Sequence, residues 1–375
     1  VMLPTPAVSE YEPLPPLELS DEVPATVEYV ISKALTKNPE YRFQTAVEFA
    51  TALQQALGET AVSSQHTTAL IQPLAKAVST PTDPATPVLD PTFVMPDKSP
   101  YRGLFAFGEE DAANFFGREA FSERLLDAVA QQRLIAVVGA SGSGKSSVVF
   151  AGLVARLRDD PAWLILSFRP GPQPFQALAA ALVAQQNPDA NENEQRQLAT
   201  QLATKLQDKE QRLLPLLRTM TAEHPTASKI LIVSDQFEEI FTLCTDQLTR
   251  KAFIDLLLEA IEYKHQTTLT FVLTLRTDFL SQALTYRALS DALQNADIKL
   301  GPMTRRELSQ AIANPARRFG LLFESGLVAR ILDDVGEESG NLPLLQFALT
   351  ELWDKARDGY LTHDGYEAIG GVEGA

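Results

Sequence analysis

The sequence predicts an α/β fold: a parallel sheet flanked by helices, followed by a helical subdomain. Three observations carry that prediction. Short apolar runs, "LIAVV" at 134–138, "WLILSF" at 163–168, "ILIV" at 230–233 and "LTFVLTL" at 269–275, alternate with helical patterns from Tyr101 onward. Continuous apolar runs separated by helices describe strands buried on both faces. A glycine-rich turn, "GASGSGKSS", joins the first run to the amphipathic pattern "SVVFAGLVARL". Beyond residue 303 the β-type runs stop and four helical patterns follow.

The elements in front of this body read differently. Residues 1–19 are Pro-rich and extended. Over 20–58, Val27, Val30, Ile31, Ala34 and Leu35 recur at helical spacing, and after "KNPEYR" the residues Ala46, Phe49, Ala50, Leu53 and Leu57 repeat it, which predicts two amphipathic helices. Residues 59–99 have no sustained period and form a linker. The α/β core is expected over 100–302 and the helical subdomain over 303–375. A start at Val1 and a close on "GGVEGA" suggest a piece cut from a longer protein at both ends.

Composition narrows the functions. The 375 residues are 45% hydrophobic, enough for two or three cores. Lys+Arg 32 against Asp+Glu 48 leaves a net charge of −16, which repels phosphate backbones, so no nucleic-acid partner is expected. One cysteine, Cys244, makes no internal disulfide, and with four scattered His it builds no metal cluster. That usage fits a reducing, cytoplasmic setting. No apolar run nears the roughly 20 residues of a membrane-spanning helix.

The glycine-rich turn fits G-x-x-x-x-G-K-[ST] with Gly139, Gly144, Lys145 and Ser146. Such a turn converges backbone N–H groups on phosphate oxygens, with Ser141, Gly142, Ser143 and Ser147 completing the cradle. Lys145 adds a point charge and the Ser146 hydroxyl reaches Mg²⁺. The partner carboxylate should end a neighbouring strand, and Asp235 in "KILIVSD" does so. The next residue is Gln236, an amide that cannot act as a base. Water activation therefore passes to Glu238 or Glu239, which would lie on the Asp235 side if a helix begins here. Arg276, just past "LTFVLTL", is placed to touch a γ-phosphate; the alternative is a surface arginine paired with Asp278.

A guanine-reading N-K-x-D is absent, as is L-S-G-G-Q, and the lone D-x-x-G at Asp333–Gly336 lies far from the turn, so GTPases and transporter-type ATPases fall away. In order along the chain stand "YRGLFAF", "FFGRE", "GASGSGKSS", "LIVSDQFEEIFTLC", "TLRTDF", "LGPM", "NPARRFG" and "GNLPLLQFALTELW". With these pieces, residues 100–375 resemble the STAND class of signal-transducing P-loop ATPases, in its bacterial novel STAND branch, often joined to WD-repeat propellers. The resemblance implies that Gly117 and Arg118 of "FFGRE" lie by the adenine. It also implies that Pro343 of "GNLP" touches the base and couples nucleotide state to domain position. In the related NACHT proteins a small residue stands where Gln236 is.

The front segment, "LPPLELSDEVPATVEYVISKALTKNPEYRFQTAVEFATALQQAL", resembles the last helices of a bacterial Hanks-type serine/threonine protein kinase, with Arg42 matching that family's buried arginine. No A-P-E, H-R-D or D-F-G accompanies it, so these residues phosphorylate nothing by themselves. The resemblances together imply an ATP- and Mg²⁺-dependent switch that hydrolyses slowly, self-associates on activation, and couples a downstream sensor to an N-terminal kinase effector. The alternative is a non-hydrolysing, nucleotide-bound scaffold for protein interactions.

Overall fold

The computed structural model describes Lys33 and residues 98–224, 226–262, 268–336 and 340–374. The kinase-like helices expected over 20–58 and the linker over 59–99 lie outside the described residues, Lys33 apart.

The sheet follows from a period of two imposed on apolar runs. Strands β1 (Leu134–Gly139), β2 (Trp163–Phe168), β3 (Lys229–Ser234), β4 (Thr268–Arg276) and β5 (Asp297–Leu300) form one sheet in the order β2-β3-β4-β1-β5, all neighbours parallel. Alternate side chains enter opposite cores. Leu134, Ala136 and Val138 of β1, with Ile230 and Ile232 of β3 and Phe271 and Leu273 of β4, join one cluster; Ile135, Val137, Leu231, Val233 and Val272 join the other.

Helices cover both faces. Helix α1 (Glu119–Gln131) supplies Phe121, Leu125 and Val129 to the second cluster. Beside it lies α2, residues 145–158, which opens with Lys145–Ser147, widens to π-helical geometry over Val148–Val154 and closes at Ala155–Arg158. The other face carries α3 (Pro174–Gln186), α4 (Glu192–Gln207), α5 (Leu213–Glu223) and, after the short α6 (Glu239–Thr242), α7 (Gln247–Glu262). Two short helices, α8 (Leu280–Leu284) and α9 (Arg287–Ala292), lead into β5. The helical end is α10 (Arg305–Arg318), α11 (Leu327–Val335), α12 (Leu342–Asp354), α13 (His363–Ala368) and α14 (Gly371–Gly374), packed around Ile312, Ile331, Leu349 and Trp353. Tyr101 joins that helical cluster, its hydroxyl donating to the Ile312 carbonyl, so the segment before α1 is clamped to the end of the chain.

Several expectations are corrected. Strand β5 is additional to those the apolar runs reveal. Among its described residues the helical end holds five helices rather than four, and a two-stranded sheet of β6 (Leu322–Phe323) and β7 (Tyr360–Leu361) where no strand is expected. Asp235 does not end a strand beside β1: β4 lies between β1 and β3. The helix after Asp235 begins only at Glu239, and residues 235–238 form a turn.

Candidate functional site

The site sits at the carboxyl ends of the parallel strands, where open α/β sheets place their ligand clefts. The phosphate turn leaves β1 at Gly139 and reverses through Gly142 and Gly144, with φ of 70° and 88°. The Gly142 position tolerates no side chain: a Cβ would stand 2.9 Å from the Gly340 carbonyl oxygen and 3.2 Å from Pro343 Cδ. The turn therefore touches the helical end through bare backbone. Lys145 is buried, and its ammonium donates to the carbonyls of Gly139 (3.0 Å) and Ala140 (2.7 Å). Burial pulls its pKa down; the carboxylates of Glu238 and Asp235 oppose this and Arg276 adds to it.

Register brings the candidate metal-binding groups together. Phe168 stands opposite Ser234, and Ser234 opposite Leu273, so one residue further on Arg169, Asp235 and Thr274 form a row across three strands. The Asp235 carboxylate is 1% exposed. Its Oδ1 accepts from Ser146 Oγ at 2.7 Å and Thr274 Oγ1 at 2.9 Å, and its Oδ2 accepts from Arg169 Nε at 3.1 Å and Nη2 at 3.0 Å. Thr274 Oγ1 in turn accepts from the Gln236 N–H at 2.8 Å, which fixes the direction in which its own proton points. A hydroxyl and a buried carboxylate 2.7 Å apart at the start of α2 suit Mg²⁺, a hard cation held by one or two protein oxygens together with phosphates and water. No cluster of three or more His, Cys, Asp or Glu able to hold a metal occurs among the described residues.

The turn at 235–238 separates the two glutamates. Gln236 adopts φ of 55°, a left-handed conformation, and the chain beyond it turns Glu238 toward the cleft. Glu238 is buried and its Oε2 accepts from the Arg276 N–H at 3.3 Å. Burial raises its pKa; backbone N–H donors, Lys145 and Arg276 oppose the rise. Glu239 points elsewhere, its Oε2 accepting from the Gly171 N–H at 3.0 Å, and it does not line the cleft. Arg276 does line it, while its guanidinium also pairs with Asp278 and lies 5.5 Å from the Phe279 ring centroid. The pairing with Asp278 expected of a surface arginine is thus present at a residue that also lines the cleft.

The cleft holds about 530 Å³ and runs from the phosphate turn to the helical end. Ser141, Gly142, Ser143, Gly144, Lys145, Ser146 and Ser147 line one end; Leu104, Phe105, Phe115, Phe116, Met303, Pro343 and Gln346 line the other. Ser147 is additionally committed, its hydroxyl accepting from the Phe107 N–H at 3.1 Å. Gly117 stands outside the lining, with φ of 86° and its Cα so close to α10 that a Cβ would meet the Glu307 carbonyl oxygen at 2.4 Å. Gly139 and Asp235 likewise stand behind the lining. Arg118 lines the cleft and braces it, donating to the carbonyls of Ser143 (3.3 Å) and Gly301 (2.9 Å). Burial lowers its pKa, and Glu307 opposes. Arg169 and Thr274 are the residues that motif reading misses. Each carries a signal: Arg169 stands just past an apolar run, as Arg276 does, and Thr274 interrupts one with a hydroxyl.

A parallel sheet with helices on both faces, a phosphate turn at the end of β1 and a buried carboxylate poised beside its serine define a P-loop NTPase. More narrowly, the chain belongs to the novel STAND NTPase 1 family, whose sequence profile matches residues 100–375. No curated protein matches the chain. Among solved structures the chain is similar to the Walker-type ATPase PABY2304 of Pyrococcus abyssi, at 13% identity over 65% of this chain and 69% of that one, TM-score 0.44. It is also similar to the Orc1 protein of Aeropyrum pernix, solved in complex with DNA, at 14% identity over 68% of this chain and 64% of that one, TM-score 0.43. A third similarity is to Cdc6p of Pyrobaculum aerophilum, at 13% identity over 76% of this chain and 66% of that one, TM-score 0.40. No helix among the described residues is long and apolar enough to cross a membrane.

Proposed function

We propose that the chain is an ATP-binding switch that hydrolyses its nucleotide slowly and reports the nucleotide's state through its helical end. The observation that carries this reading is the composition of the cleft: phosphate-binding groups on one side, Pro343, Met303 and Gln346 of the helical end on the other, with Gly142 touching Gly340 between them. Nucleotide state and domain position are thus sensed at one place. Lys145 and the turn's N–H groups hold the phosphates. Ser146 and Asp235 hold Mg²⁺, which when bound neutralises phosphate charge as the terminal bond breaks. Glu238 orients the attacking water, and the burial that raises its pKa makes it a better proton acceptor than a solvated carboxylate. The resemblance of 20–58 to the end of a protein kinase supports a kinase effector in the whole protein, and membership of the STAND family over 100–375 supports a downstream sensor and self-association on activation.

Phosphate release and fluorescent-ATP binding test this directly. Lys145→Ala should abolish binding. Glu238→Gln should cut release about 100-fold or more while binding persists, whereas Glu239→Gln should stay within about threefold of the parent. A Glu239→Gln variant as inactive as Glu238→Gln would move the water to the other carboxylate, and full ATP affinity in Lys145→Ala would remove the nucleotide site.

A further inference from the structure

Among the described cations that line the cleft, Lys145 belongs to the phosphate turn, Arg118 to "FFGRE" and Arg276 to "TLRTDF", whereas Arg169 belongs to none of these motifs. It lies one residue beyond β2, on the sheet face shared by Asp235 and Thr274, and its side chain is 56% exposed while the carboxylate it binds is 1% exposed. Nε and Nη2 both go to Asp235 Oδ2, leaving Oδ1 to Ser146 and Thr274. Nη1 has no hydrogen-bond partner among the described residues, and the side chain lines the cleft. Arg276 lines the cleft as well, but its Nη2 is paired with Asp278 and its guanidinium lies by the face of Phe279, and its partnerless nitrogen is the buried Nε.

We propose that Arg169 reads the terminal phosphate of the nucleotide while holding Asp235 in the orientation that serves the metal. The proposal rests on the nucleotide-switch reading above and deepens it. A guanidinium is planar and offers five N–H donors; one edge can stay on Oδ2 while the Nη1 end meets phosphate oxygens, an arrangement closed to a lysine. The same carboxylate, beside Ser146, would help to hold Mg²⁺. A divalent charge there would weaken the pull of Asp235 on Arg169 and free positive charge for phosphate. Arg169 therefore discriminates a triphosphate from a diphosphate most strongly when Mg²⁺ is bound.

The experiment compares Kd for a slowly hydrolysed ATP analogue and for ADP, each with saturating Mg²⁺ and with chelator, in the 375-residue chain and its Arg169→Ala and Arg169→Lys variants. Arg169→Ala should weaken Mg²⁺-triphosphate binding about tenfold or more and leave Mg²⁺-ADP within about twofold. Arg169→Lys, which keeps the charge and guards against a folding defect in the alanine variant, should show a smaller loss, again confined to the triphosphate. Equal weakening of both nucleotides would make Arg169 only a brace for Asp235, and unchanged affinities would make the pair a surface contact; either result overturns the proposal. Failure of the unsubstituted chain to bind either nucleotide would instead overturn the nucleotide-switch reading.

Discussion

Gln236 shows how one backbone angle selects between two neighbouring side chains. Its φ of 55° is a conformation that costs a non-glycine residue about 1–2 kcal/mol, and it is the bend that turns Glu238 inward while Glu239 meets the Gly171 N–H. Replacing Gln236 by glycine removes the strain and adds unfolded-chain entropy, so the two effects partly cancel. Gln236→Gly should be stabilised by up to about 1 kcal/mol in urea unfolding, because the structural role belongs to the backbone N–H, which glycine retains. Measurable destabilisation would show that the amide side chain holds the turn. The residue type alone points to strain only if the turn is known. Sequence reading therefore leaves the choice between Glu238 and Glu239 open, and the related proteins' small residue at this place is the nearest hint.

At the scale of elements, β4 lies between the strands that lead to the phosphate turn and to Asp235 and joins their ends. Thr274, itself buried, donates to the buried Asp235 and accepts from the part-buried Gln236 N–H. Thr274→Val keeps the shape and β-propensity but strands a part-buried N–H and deprives Oδ1 of one donor, which should cost about 1–3 kcal/mol in urea unfolding. A change under about 0.5 kcal/mol would mean that neither bond contributes. Strands β1 to β4 were legible because burial on both faces demands unbroken apolar runs. Strand β5, Asp297–Leu300, was not: at the sheet edge, Asp297 and the exposed Lys299 meet each other instead of a core. The phosphate turn was legible because its chemistry is contiguous. Arg169, Asp235 and Thr274 come from three strands, and only their register, which no single segment states, lines them up.

Across the whole molecule, the contact of greatest consequence is backbone against backbone. Gly142→Ala would place a methyl 2.9 Å from the Gly340 oxygen at a φ of 70°. The least costly relief is for the helical end to withdraw from the phosphate turn. Amides of α12 should then exchange faster with solvent while those of β1 to β4 keep their protection. Unchanged protection throughout α12 would show that the turn, and not the helical end, gives way. Arg118 does not oppose such withdrawal, because it ties the phosphate turn at Ser143 to Gly301, just past β5, and not to the helical end.

The interposed β4 also sets a distance. Neighbouring strands run about 4.8 Å apart, so the strand that ends in Asp235 lies roughly 10 Å from the one that ends in the phosphate turn. The Ser146 side chain closes that gap, meeting Asp235 Oδ1 at 2.7 Å above the end of β4, where Thr274 holds the same oxygen. A slip of β4 by one residue would leave the phosphate turn and Asp235 intact and still take Thr274 away from that oxygen.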